Sequence, residues 1–141
     1  MPGESQFWKQ LNLGMKPFWR VRRIENSLMA GTPDVYFTMV ANGYGGWIEL
    51  KHIKRKPRTG LFKISHFTKE QRLFFHIHGS IGGNIWLFLK MEKEYFVFDW
   101  KQALTIGNYY ISELYDEKNY SWYGRKLDFN RLNLLFSLIK K

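Results

Sequence analysis

Asp34 follows Pro33 at the mouth of one strand-like segment. Glu49 and Lys51 stand two apart in the next, between Ile48 and Leu50. Side chains alternate across a strand, so Glu49 and Lys51 share one face while Ile48 and Leu50 point to the other, toward a core. Three charged groups beside apolar neighbours are costly to bury unless they act together. Two carboxylates and an ammonium suit metal-assisted hydrolysis of a phosphodiester. Oxygens of Asp34 and Glu49 would hold Mg²⁺, with Mn²⁺ as a substitute, and the Leu50 backbone carbonyl would add a ligand while its side chain stays in the core. Such an ion polarises the phosphate and helps generate hydroxide. Lys51 would orient the attacking water or stabilise charge on the pentavalent phosphate. The same spacing also describes a cross-strand salt bridge, worth little at a surface. Spacing alone leaves both readings open.

These residues need a hairpin. Val35 to Val40 is rich in β-branched and aromatic residues and predicts a strand. Asn42-Gly43 and Gly45-Gly46 mark the turn, and Gly46 to Ile53 is the partner strand. Pro33 lacks a ladder donor and suits a strand's start. A hairpin of this register brings Asp34 near Glu49. Upstream, Glu4 to about Leu13 predicts a helix stopped by Gly14, and Phe18 to Asn26 is extended. Downstream, Thr68 starts a helix running to about His78, with Gly79 past its end. Thr68 and Gln71 fit a capping box, so capping and a place in the site compete for the Gln71 side chain. Asn84 to Lys90 and Tyr95 to Asp99 predict two more strands. The stretch from Trp100 to Lys126 suggests a short helix and loops. Asp128 caps a last helix with Phe129, Leu132, Leu135, Phe136 and Ile139 at helical spacing. The order α-β-β-β-α-β-β-α predicts an α/β fold, a mixed sheet flanked by helices. A chain of 141 residues suits one domain with a real core, spanning 1–141.

Charge suggests the partner. Lys and Arg number 22 against 12 Asp and Glu, a formal charge of +10, which points to a polyanion, nucleic acid before an anionic membrane. Lys54, Arg55, Lys56 and Arg58 crowd the loop directly after Lys51 and would hold phosphates flanking the cut. Arg20, Arg22 and Arg23 would form a second rim, with Arg23 on the opposite strand face from the other two. The alternative for both is a solvated basic surface. With no cysteine, disulfides and thiolate metal sites are excluded and an intracellular, cytoplasmic setting is compatible. The start of the chain lacks a signal-peptide pattern, and no apolar run reaches roughly 18 residues. There is no phosphate-binding Gly-x-x-x-x-Gly-Lys loop, so no nucleotide cofactor is expected. His76 and His78 lie two apart on a helix and do not share a face.

Pro33-Asp34 followed by Glu49-Leu50-Lys51 resembles the signature of PD-(D/E)XK nucleases. The fuller series GTPD, WIELK and FTKEQR resembles the VRR-NUC branch and virus-encoded Holliday-junction-resolvase-like proteins, and RIENS is similar to phage members of that group. The resemblance covers about 4–99 and implies a restriction-endonuclease-like core with a C-terminal helical extension over about 100–141. It implies that Asp34 and Glu49 hold the metal, that Lys51 is catalytic and that Gln71 joins the site. Many relatives add an acidic residue on the first helix. Glu4 is the best-placed match and Glu25 a second, and the choice stays open.

The expectation is a metal-dependent endonuclease acting on DNA, branched by analogy with resolvases, in the host cytoplasm if the protein is viral. The alternatives are a nuclease of single strands or DNA ends and a non-catalytic nucleic-acid-binding protein of the same fold. Paired cuts suggest a homodimer. Its contact is expected in the segment after Asp99, through the last helix's apolar stripe or through Tyr109, Tyr110, Tyr120, Trp122 and Tyr123. Those aromatics would otherwise stack on unpaired bases.

Overall fold

The computed structural model describes residues 2–24, 30–64 and 66–137. Helix α1 (Pro2–Met15) leads into β1 (Trp19–Arg23), β2 (Val35–Met39) and β3 (Gly45–Ile53). Helix α2 (Lys69–Ser80) then crosses to β4 (Ile85–Met91), which turns into β5 (Glu94–Phe98). After them come α3 (Trp100–Thr105), three short 3₁₀ turns, β6 (Trp122–Gly124) and α4 (Phe129–Ser137). The six strands lie in sequence order across one sheet. Every neighbouring pair is antiparallel except β3 and β4, which run parallel because α2 carries the chain back between them.

Each sheet face has its own core. On one face Val35, Phe37, Ile48, Leu50, Phe88 and Val97 meet Phe7 and Leu11 of α1 and Leu132 and Phe136 of α4. On the other, Leu87, Leu89, Phe96 and Phe98 meet Phe75 of α2 and Ala103 of α3, with Ile111 and Leu114. The β4 strand is buried on both faces, as a central strand with a parallel neighbour should be.

Several expectations require correction. The extension is not only helical: β6 pairs with β5 and widens the sheet. Gly14 and Gly79 do not stop their helices. A Cβ at Gly14 would lie 2.1 Å from the Phe129 ring and one at Gly79 2.3 Å from Trp100, so each glycine is a contact point inside its helix. Leu132 and Phe136 of the α4 stripe are fully buried against the chain's own sheet and Leu135 packs beside them, which removes the exposed stripe proposed as a dimer contact. Ile139 lies outside the described residues. Tyr109, Tyr120 and Tyr123 pack on the second core and Trp122 on the first. Of that aromatic group only Tyr110 is largely exposed, at 58%.

Candidate active site

The hairpin positions the acidic pair. Its last paired residues are Val35 and Ile48, so one step further Asp34 stands across from Glu49. The Asp34 carboxylate accepts the Leu50 N–H through Oδ2 at 3.0 Å, and its carbonyl accepts the Ile24 N–H at 2.7 Å. The N–H and C=O of one strand residue face the same edge, so the Leu50 carbonyl faces the Asp34 side, beyond the end of the β2 ladder. Gly31 brings the GTPD turn onto the first turn of α2. Its φ of +89° is a glycine conformation, and a Cβ there would sit 2.4 Å from the Glu70 carbonyl oxygen.

Glu49 and Lys51 share the α2 face of the sheet and are almost wholly buried, at 3% and 4% exposure. The Lys51 ammonium has three acceptors: Glu49 Oε2 at 3.2 Å, Gln71 Oε1 at 3.1 Å and the His66 carbonyl at 2.6 Å. These match its three hydrogens. Gln71 Nε2 donates to Glu49 Oε2 at 3.1 Å. Capping and contact with Glu49 and Lys51 do not compete. Gln71 Oε1 also accepts the Thr68 N–H at 3.0 Å while Thr68 Oγ1 accepts the Gln71 N–H, so one amide closes the capping box and bridges the acidic–basic pair.

His66 was not singled out from the sequence. It contributes a backbone carbonyl, which no side-chain pattern reveals, and it reaches Lys51 from a left-handed conformation with φ of 67°. Non-glycine residues in this region are uncommon and cluster at functional sites.

The Glu49 carboxyl is pushed up from 4.5 to about 8. Burial is the largest cause and the Asp34 charge the next, and together they outweigh the downward pull of Lys51. Folded protein therefore holds a proton that the unfolded chain releases near pH 4.5. Stability without metal should fall as pH rises from about 4.5 to about 8 and level off above, by an amount on the order of a few kcal/mol. Thermal unfolding in chelator measures this, and Glu49→Gln should flatten the profile across that window. Equal stability of the unaltered protein at both ends would contradict the placement.

No family model matches the chain, and no curated protein does. Among solved structures, the chain is similar to Hjc, a Holliday junction resolvase from the archaeal hyperthermophile Archaeoglobus fulgidus, at a TM-score of 0.49 and 16% identity. The match covers 71% of this chain and 75% of that one.

Asp34, Glu49, Lys51, Gln71 and the Leu50 backbone thus converge. Glu4 falls within α1, which packs on the opposite face from Glu49, and its side chain is outside the described residues, as is all of Glu25. Among the described residues no three His, Asp or Glu side chains gather as a metal site. His78 stacks on Phe74 and His76 lies against Trp100.

The cations divide. Arg20 and Arg22 pair with Thr38 and Tyr36 on the Glu49 face of the sheet, whereas Arg23 lies on the other face over Trp8. Arg20 is partly committed, donating to the Lys16 and Trp19 carbonyls. Lys54 and Lys56 line one cleft, Lys56 and Arg58 a neighbouring hollow with Tyr110, and Arg55 lines neither.

Proposed function

We propose that the protein is a divalent-metal-dependent endonuclease that hydrolyses DNA phosphodiester bonds, with a structured or branched DNA as substrate. The observation that carries this reading is the buried Glu49–Lys51–Gln71 cluster across from Asp34. Burying a carboxylate and an ammonium is expensive, and an apolar pair would serve the sheet as well or better. Two facing carboxylates, one of them holding a proton at neutral pH, form a donor set that a hard cation relieves by replacing that proton. Asp34, Glu49 and the Leu50 carbonyl would hold Mg²⁺ or Mn²⁺. When bound, the ion supplies Lewis-acid polarisation of a phosphate oxygen and stabilises the charge that develops on it.

The chain's own residues do the rest. Lys51, fixed by three acceptors, places a positive charge where the pentavalent phosphate forms. Gln71 holds Glu49 and Lys51 at a constant separation. Arg22 on the Glu49 face and the loop after β3 contact flanking phosphates and position the strand without reading sequence. Cuts in two strands of a junction need two sites, so the proposed form on such a substrate is a two-fold dimer.

The test offers junction, flap, duplex and single-stranded DNA with and without Mg²⁺ or Mn²⁺, and sedimentation of the protein free and on the junction. Cleavage of the junction only with metal, by a dimer, is the expected result. No cleavage of any substrate with either metal overturns the reading. A monomer on the junction overturns the dimer alone.

A further inference from the structure

Four strands end together near the site. Ile53 pairs with Met91, Met91 with Glu94 and Tyr95 with Gly124. The residues at and just past these pairs therefore form a row: Lys54, the Glu92–Lys93 turn, Glu94 and Arg125. At roughly 4.8 Å per strand spacing, the row from β3 to β6 spans about 14 Å. It lies beside the face that carries Glu49 and Lys51, because Ile53 follows Lys51 by two residues and Glu94 precedes Phe96 of that face's core by two. Here the protein opens a cleft of about 770 Å³ lined by the row and by Lys56.

The lining is four cations and two carboxylates, and the carboxylates are already engaged. Glu92 Oε2 accepts the Lys56 N–H at 2.7 Å. Glu94 accepts the hydroxyls of Tyr115 and Tyr123 at 2.6 to 3.0 Å. No ion pair joins any of the four cations to either acid; among the described residues the ion pairs are Lys51–Glu49 and Lys118–Asp116. The Lys56 ammonium lies 4.5 Å from the Tyr115 ring centre, Lys54 and Lys93 are exposed, and Arg125, also exposed, meets the Tyr123 hydroxyl. Four cations against two carboxylates leave the cleft a formal excess of two positive charges, and the carboxylate oxygens are held by neutral N–H and O–H donors. An isolated surface lysine would be unremarked, but a register-built row with that positive excess, converging on a cleft, favours an anionic ligand.

We propose that this cleft is a second backbone track, which holds the phosphates of a DNA strand as it passes from the active site across the sheet end toward β6. It rests on the nuclease reading for the direction of the strand and not for the binding itself. Lys93 and Arg125 lie outside the loop after β3 and outside the catalytic cluster, so they test it independently.

The experiment compares unaltered protein, Lys93→Gln/Arg125→Gln and a control, Lys9→Gln/Lys118→Gln, which removes the same charge from exposed positions elsewhere. Binding of duplex and of single-stranded DNA is measured in chelator, where no cutting is needed, between about 50 and 200 mM salt. In the cleft variant the slope of log K against log salt should become shallower by about 1.8 on duplex and about 1.4 on single-stranded DNA, increments of about 0.9 and about 0.7 per lost phosphate contact, with affinity about tenfold weaker. The control should keep the slope. A loss on only one of the two DNA forms would identify that form as the cleft's ligand. If the cleft variant matches the control on both, the proposal is overturned. Cutting by the unaltered protein with Mg²⁺ is scored separately, so failure of the nuclease reading would leave the slopes to decide this one.

Discussion

Glu49→Gln should lower DNA cleavage by about a thousandfold or more while leaving DNA binding intact, and Asp34→Asn should do the same. Both changes keep shape. An asparagine at position 34 retains an oxygen for the Leu50 N–H, and a glutamine at 49 retains an oxygen for Lys51 and Gln71. The fold should therefore survive, and for Glu49→Gln it should be more stable near pH 8, where the native carboxyl would otherwise have to lose its proton in a buried setting. What is lost is anionic oxygen for the cation. For Asp34→Asn, binding in chelator should tighten, because a negative charge that repels phosphate has gone; for Glu49→Gln it should stay unchanged at neutral pH, where the native Glu49 carboxyl already holds a proton. Single-turnover cleavage with Mg²⁺, paired with binding in chelator, reads both. A variant that cuts at the normal rate would remove Asp34 and Glu49 from the catalytic set.

Lys51→Met should reduce cleavage by about a hundredfold to a thousandfold and leave Mn²⁺ affinity nearly unchanged. Methionine fills much of the buried volume, so the effect reports charge and donors rather than a cavity. Lysine cannot ligate a cation while protonated, which separates its role from that of the carboxylates. One coupling must be controlled. Lys51 is the group that pulls the Glu49 carboxyl down, so without it Glu49 keeps its proton to higher pH. Calorimetry with Mn²⁺ should therefore be compared as a function of pH, so that the variant's stronger proton competition at Glu49 is separated from any loss of a ligand. Lost Mn²⁺ binding with little change in cutting would reverse the assignment.

The site was more legible in the sequence than its surroundings. Alternation across β3 is a period-2 pattern, so two charges flanked by Ile48 and Leu50 had to share a face, and the glycine-marked turn set which residue stood opposite. Thr68 and Gln71 announced the start of α2 by their spacing. The parts that escaped did so for physical reasons. A three-residue strand such as β6 has no periodicity to detect; it exists because the β5 edge accepts a partner. The tyrosines after Asp99 sit among polar neighbours, and only the folded chain shows Tyr115, Tyr120 and Tyr123 clustered on Phe96. A helical stripe tells that α4 buries one side but not against what, and the chain's own sheet supplied the answer. A glycine near a helix end has two meanings, a stop or a close approach, and both Gly14 and Gly79 took the second.

The shared amide of Gln71 also ties the site to time. The bond that caps α2 and one bond each to Glu49 and Lys51 belong to one side chain, so fraying of the first turn of the helix takes a partner from both, leaving Lys51 on Glu49 and the His66 carbonyl. Local opening of the helix end and loosening of the cluster are then coupled. The Thr68 amide proton is its natural clock. Its exchange with solvent should slow whenever the cluster tightens, giving a reading of site assembly from a group that touches no substrate.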